Sequence, residues 1–212
     1  MSSLDFKPFY RKHLPHIQPP GAVLFVTFRL ADSLPRHVIQ QLLDEREAAE
    51  KQIATLPDTD QKAARYRTHK RLFAKWDRYL DHANSGPMWL QETAVAQIVV
   101  NSLHHLDGTQ YDLDCYSVLS NHAHVMLQPL EDENGRTHAI ARIMHSLKGY
   151  TATAANKVLG RNGRFWQEES YDHIIRDETE RNQIRQYILY NPVKAGLVDN
   201  PEDWPWSYSK YW

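Results

Sequence analysis

The chain has 212 residues, with 25 Lys or Arg against 26 Asp or Glu, a formal net charge of −1 and a pI near 6.9. That balance gives no global pull toward nucleic acid or anionic lipid, so any polyanion-binding surface has to be local. One cysteine, Cys115, rules out an internal disulfide and fits a reducing cytoplasm. The N-terminal stretch has no apolar core of a secretory signal, and no apolar run approaches the roughly 18 residues of a membrane span. The expectation is a soluble protein of one domain, or one domain with a sizeable insertion.

In chain order, "AVLFVTFRL" (22–30) is apolar, β-branched and aromatic, and predicts a buried strand. From about Pro35 the pattern turns helical. Val38, Leu42 and Leu43 form one side of a first helix; Tyr66, Leu72, Phe73, Trp76 and Leu80 form one side of a second. "NSGP" (84–87) closes this charged block, and "ETAVAQIVVNSLHHL" (92–106) predicts a third helix. Residues 108–120 and 122–130 predict an antiparallel pair joined at Ser120–Asn121. An amphipathic helix over 137–159, ending at Gly160, and a strand within 164–177 come next. The last helix opens on a D-x-x-E capping box, Asp177 and Glu180, and is stopped by Pro192, leaving a tail over about 192–212. This order predicts an α+β, ferredoxin-like antiparallel sheet with helices on one face and a helical insertion at about 34–85, after the first strand. The whole, 1–212, reads as one domain.

The chemistry concentrates in "SNHAHVML". Strand residues alternate faces, so His122, His124, Met126 and Gln128 point one way and Ala123, Val125 and Leu127 the other. The second set suits a core. Two imidazoles at i and i+2 bring ring nitrogens close enough to share a divalent ion, yet one H-x-H pair among 12 histidines also arises by chance. In the last helix, Tyr187 and Asn191 share a face one turn apart. They fit an apolar stripe with Ile184 and Ile188 and a stop residue, or a functional pair. In the second case Asn191, placed at the helix end by Pro192, has its amide oxygen available as a ligand.

Taken together, these motifs resemble the REP-associated tyrosine transposases of the HUH single-tyrosine nuclease superfamily. The resemblance is carried by "LPHIQPPGAVLFVTFRL", "YDLDCYSVLSNHAHVMLQP", "SLKGYTATAANKVLG", "FWQEESYDHIIRD" and "YILYNPVKAGLV", in that order. The family commonly has Met-Pro-Asn before the first histidine and Val between the two; here Leu119, Ser120, Asn121 and Ala123 stand there, and no ligand is lost. The resemblance implies that His122, His124 and Asn191 hold a divalent metal and that Tyr187 is the nucleophile. The reaction implied is cleavage and rejoining of single-stranded DNA at REP-type hairpins through a covalent 5′-phosphotyrosine. The ion would be Mn²⁺ by ligand preference or Mg²⁺ by abundance. It also implies a monomer, cytoplasmic and associated with the nucleoid when bound to DNA. The alternative is a catalytically silent relative that only binds hairpins or single strands. A two-histidine phosphoesterase is disfavoured, because no histidine has Ser or Thr two residues on.

Contacts to DNA are expected from basic groups near both ends of the motif set, Lys12 and Arg29, then Lys148, Arg164 and Arg176. Trp166, with Tyr150 and Phe165, is a candidate for stacking on unpaired bases or, equally, for the core.

Overall fold

The computed structural model describes residues 19–81 and 86–212; Lys12 lies outside them. The chain divides into two compact units, one containing residues 32–86 and the other residues 19–31 and 87–212.

The larger unit is built on five antiparallel strands. These are β1 (Leu24–Arg29), β2 (Tyr111–Val118), β3 (His122–Pro129), β4 (Tyr171–Ile174) and β5 (Ser207–Ser209), in the order β4-β1-β3-β2-β5. β4, β1, β3 and β2 stand in the ferredoxin-like order that the predicted fold class requires. β5, which falls in the segment expected to be a tail, extends the sheet beyond β2. Ser207 Oγ, 3.0 Å from Ser117 Oγ, adds a side-chain bond to that edge.

Alternation along β3 decides the layers. Ala123, Val125 and Leu127 join Leu24, Val26, Phe28 and Leu30 in one buried cluster with α3 (Thr93–Leu106) and α4 (Ile140–Val158). Val95, Val99 and Leu103 contribute from α3, and Ile143 and Leu147 from α4. Each large apolar side chain buried there is worth about 2 kcal/mol. α5 (Glu178–Lys194) lies against the other face, where its Arg181 and Arg185 reach β2 and its Asn191 reaches β3.

β2 carries a bulge between Leu113 and Cys115, so Asp114 and Cys115 together oppose Met126. The extra residue, Asp114, is buried at 1% exposure on the α5 side. Its Oδ1 accepts from Arg185 Nε at 2.6 Å; its Oδ2 accepts from Arg181 Nη2 at 2.6 Å and Arg185 Nη2 at 2.8 Å. Burial works against the charged carboxylate, but the two guanidiniums outweigh it and hold the Asp114 pKa below the usual value.

Three segments differ from expectation. The helix predicted from 137 starts at Ile140, because Thr137 bridges Glu131 and His138 N–H is spent on Leu130 O. The strand candidate over 164–177 is split. Trp166 makes one bridge to Leu30, with Gln167 N–H donating to Arg29 O at 2.8 Å; residues 168–170 leave the ladder, and pairing resumes at Tyr171. Pro192 does not stop α5, which runs on to Lys194; Asn191, Pro192 and Val193 carbonyls are closed by Ala195, Leu197 and Gly196 N–H. Only two helical residues follow Pro192, so the missing N–H costs a single late ladder bond. At the other end, Asp177 caps the helix, accepting from Glu180 N at 2.8 Å. Glu180 Oε2 accepts from Arg176 N at 3.1 Å rather than from the cap residue itself.

The smaller unit is a helical hairpin, α1 (Arg36–Ile53) and α2 (Asp58–Asp81). Val38, Leu42, Ala49 and Ile53 are buried on α1; Leu72, Phe73, Trp76 and Leu80 are buried on α2. Lys75 pairs with Glu45, and Arg65 with Glu50 at 3.3 Å. Where the insertion closes, Gly86 has φ +95°, and a Cβ there would sit 2.8 Å from Asp32 O. No described helix is long and apolar enough to cross a membrane.

The Asp114 clamp makes a prediction. Asp114→Ala leaves two guanidiniums facing a buried gap and should cost about 3 kcal/mol in urea unfolding. Because the folded carboxyl pKa is lowered, the clamp's stabilisation is full above the unfolded value near 4 and is lost as pH falls through the folded one. The wild type should therefore lose stability more steeply than Asp114→Asn below about pH 4.

Candidate functional site

β1, β3 and α5 bring the four principal residues together. In the β1–β3 register Thr27 faces His124 and Arg29 faces His122. Strand parity puts both imidazoles on the α5 side, as the alternating pattern requires. His122 and His124 are 1% and 0% exposed, and their Nε2 atoms stand 3.1 Å apart. Two nitrogens held at about 2.1 Å and a right angle by one ion would be about 3.0 Å apart, so the spacing matches a shared cation.

The outer ring nitrogens are engaged. His122 Nδ1 is 2.6 Å from Asn121 Oδ1, and His124 Nδ1 is 2.7 Å from Thr27 Oγ1. Burial pushes the His122 pKa down to about 3. Burial, then the neighbouring His122 and Lys194, push His124 well below its ordinary value. Both rings are therefore neutral at physiological pH, the state in which imidazole is a ligand.

Asn191 is fully buried on α5, and its amide nitrogen stands 3.0 Å from His124 Nε2. Its Oδ1 is buried without a hydrogen-bond partner among the described residues. An unsatisfied buried carbonyl beside two imidazole nitrogens is a polar group that a cation or a water could satisfy. Turning the amide by 180° would exchange Nδ2 and Oδ1 and bring the carbonyl oxygen to the His124 side.

Tyr187, one turn earlier, is half-buried. Its ring lies 5.6 Å from the His124 ring and 6.1 Å, edge-on, from Phe25. Lys194 Nζ sits 4.4 Å from the Tyr187 ring centroid. Thr27, Asn121 and Lys194 were not singled out from the sequence. Asn121 precedes His122 directly, and Lys194 is two helical turns beyond Tyr187, so spacing held a signal for both. Thr27 needed the strand register.

The expected DNA contacts divide by placement. Arg164 and Arg176 are exposed. Arg29 is buried on the site face opposite His122, with Nη1 donating to Leu30 O at 3.3 Å. Trp166 is buried between Phe28 and Phe165, and its Nε1 donates to Thr151 Oγ1 at 2.8 Å, so its ring faces are spent in the core. Lys148 donates to Gln167 O at 2.6 Å, Glu168 O at 2.8 Å and Ser170 Oγ at 3.3 Å. Its ammonium thus pins the loop that interrupts the β1–β4 ladder, and burial pushes its pKa down to about 8.

The resemblance read from the motifs is matched by comparison with known proteins. No family model matches the chain. A protein of Haemophilus influenzae named as a candidate REP-associated tyrosine transposase is 30% identical over 95 residues, 42% of this chain and 54% of that protein. The chain therefore matches about half the length of that curated relative. A solved REP-associated tyrosine transposase bound to a REP hairpin superposes with a TM-score of 0.50 at 16% identity, covering 94% of this chain and 81% of that one. At that identity the likeness establishes the fold, a five-stranded antiparallel α+β sheet with the same architecture.

Lys148→Met provides a test of its placement. Removing the donor to two carbonyls should cost about 1–3 kcal/mol in chemical denaturation. Any affinity for hairpin-bearing DNA, the partner the resemblance implies, should stay within about threefold, because the ammonium faces the loop and not a phosphate. A tenfold loss of DNA affinity with unchanged stability would reverse that assignment.

Proposed function

We propose that the protein is a metal-dependent single-stranded DNA endonuclease and strand transferase that acts beside REP-type DNA hairpins. The observation that carries this reading is the convergence of His122 and His124 Nε2, 3.1 Å apart, with the Asn191 amide and the Tyr187 ring on one helix face. His122, His124 and Asn191 Oδ1 would hold a divalent ion, Mg²⁺ or Mn²⁺. When bound, it supplies Lewis-acid polarisation of a non-bridging phosphate oxygen and fixes the scissile group.

The chain's own residues do the rest. His124, Phe25 and Lys194 hold the Tyr187 ring on the site side of α5. The Tyr187 oxygen attacks phosphorus, the P–O3′ bond breaks, the phenolic proton passes to solvent, and the leaving oxygen takes a proton to become a free 3′-OH. The 5′ side stays joined to the enzyme as a phosphotyrosine. One phosphoester replaces another, so attack by a 3′-OH reseals the strand, or transfers it, without a nucleotide cofactor. Exposed Arg164 and Arg176 would meet backbone phosphates, giving affinity without sequence readout. The hairpin as partner is supported by the DNA in the structurally similar transposase.

Incubation with hairpin-bearing single-stranded DNA and Mg²⁺ or Mn²⁺ should give a denaturation-resistant protein–DNA adduct on a gel. The adduct should vanish with EDTA and in Tyr187→Phe. An adduct that survives Tyr187→Phe would move the nucleophile elsewhere, with half-exposed Tyr190 the first to examine.

His124→Ala should lower cleavage by at least about 100-fold while hairpin affinity stays within a few-fold. A large affinity loss instead would mark the histidine pair as structural.

A further inference from the structure

We propose that Thr27 and Asn121 are positioning residues that fix the proton arrangement of the two site imidazoles, so that both turn an Nε2 lone pair toward a divalent cation. The inference rests on the metal-dependent reading above and extends it to residues outside the ligand set.

A neutral imidazole carries one N–H and one lone pair, and the partner of one nitrogen dictates what the other offers. Two imidazoles can share a cation through Nε2 only if both protons sit on Nδ1. Asn121 Oδ1, 2.6 Å from His122 Nδ1, can only accept, so it demands the proton there. Thr27 Oγ1 lies 2.7 Å from His124 Nδ1 and can accept in the same way. The two partners come from different elements, yet both are anchored. Thr27 is fully buried in β1 directly opposite His124. Asn121 is 3% exposed, and its backbone oxygen accepts from Leu30 N at 2.8 Å, tying it to the end of β1.

Residue choice at position 27 sharpens the argument. The neighbouring β1 side chains are Phe25, Val26 and Phe28, and a buried strand position favours an apolar β-branched residue. Threonine has the shape of valine and differs by the one atom that meets His124. A hydroxyl there costs desolvation unless it has a partner, and its partner is the ring nitrogen.

The test uses the 212-residue chain and a Mn²⁺ titration followed calorimetrically. Thr27→Val and Asn121→Ala should each weaken Mn²⁺ binding by about 10–100-fold. Thr27→Ser and Asn121→Asp, which keep an acceptor in place, should stay within about threefold of wild type. Hairpin-DNA affinity measured in EDTA should not change in any of the four. Independently of any variant, ¹⁵N spectra of histidine-labelled wild type with Mg²⁺ should show both rings protonated at Nδ1. Wild-type Mn²⁺ affinity in Thr27→Val and Asn121→Ala, or a wild-type ring protonated at Nε2 with Mg²⁺ bound, would overturn the inference alone. If wild type binds neither ion, the metal-dependent reading fails and takes this inference with it.

Discussion

An aspartate buried to 1% exposure at the middle of a sheet is untenable unless its charge is answered, and Asp114 is answered twice, by Arg181 and Arg185. The rest of the larger unit depends on that answer. α5 has few apolar side chains turned inward, Ile188 and Leu189 being the buried ones, so hydrophobic burial alone anchors it weakly. The bulge at Leu113/Cys115 supplies the carboxylate, and a pair of arginines four residues apart supplies the reach. Fixing the helix at residues 181 and 185 sets the rotation of everything after them. Asn191 then meets His124, and Tyr187 stands at the edge of the site beside Phe25.

From that geometry the electrostatics follow. The imidazoles are buried, and loss of water pushes both pKa values down and keeps the rings neutral. Neutral rings bring no charge of their own, and each keeps one nitrogen lone pair that the proposed cation would use. The surroundings are arranged accordingly: both Nδ1 atoms are occupied from outside, both Nε2 atoms face inward, and the Asn191 carbonyl has no protein partner among the described residues. Lys194 lies at the outer side, against the Tyr187 ring, where a positive charge sits next to the group proposed to meet a phosphate.

Much of this was legible in the residues. Alternation in "HAHVML" gave two faces, and the structure has both. The i, i+4 relation of Tyr187 and Asn191 placed them on one side of a helix, as found. What sequence could not supply was long-range. The β5 pairing comes from a three-residue strand too short to carry a period. The burial of Trp166 depends on Phe28 and Thr151, both far away in the chain. Lys148 read as a phosphate contact from its place among basic residues, whereas the loop at 167–170 folds back over its ammonium. Pro192 misled because its effect on a helix depends on how many residues follow, and here only two do.

The alternation along β3 also bears on how such a chain can change over generations. Ala123, Val125 and Leu127 are locked into the apolar cluster, and each histidine is separated from its neighbour by one of them. Inserting or deleting a single residue in the strand would exchange the two faces, pushing imidazoles into the core and aliphatic groups into the site. Length changes in this segment are thus selected against by folding itself, whether or not the chemistry is under selection. A lineage that ceased to need the reaction would retain the spacing of 122 and 124 and lose the histidines by substitution, one position at a time.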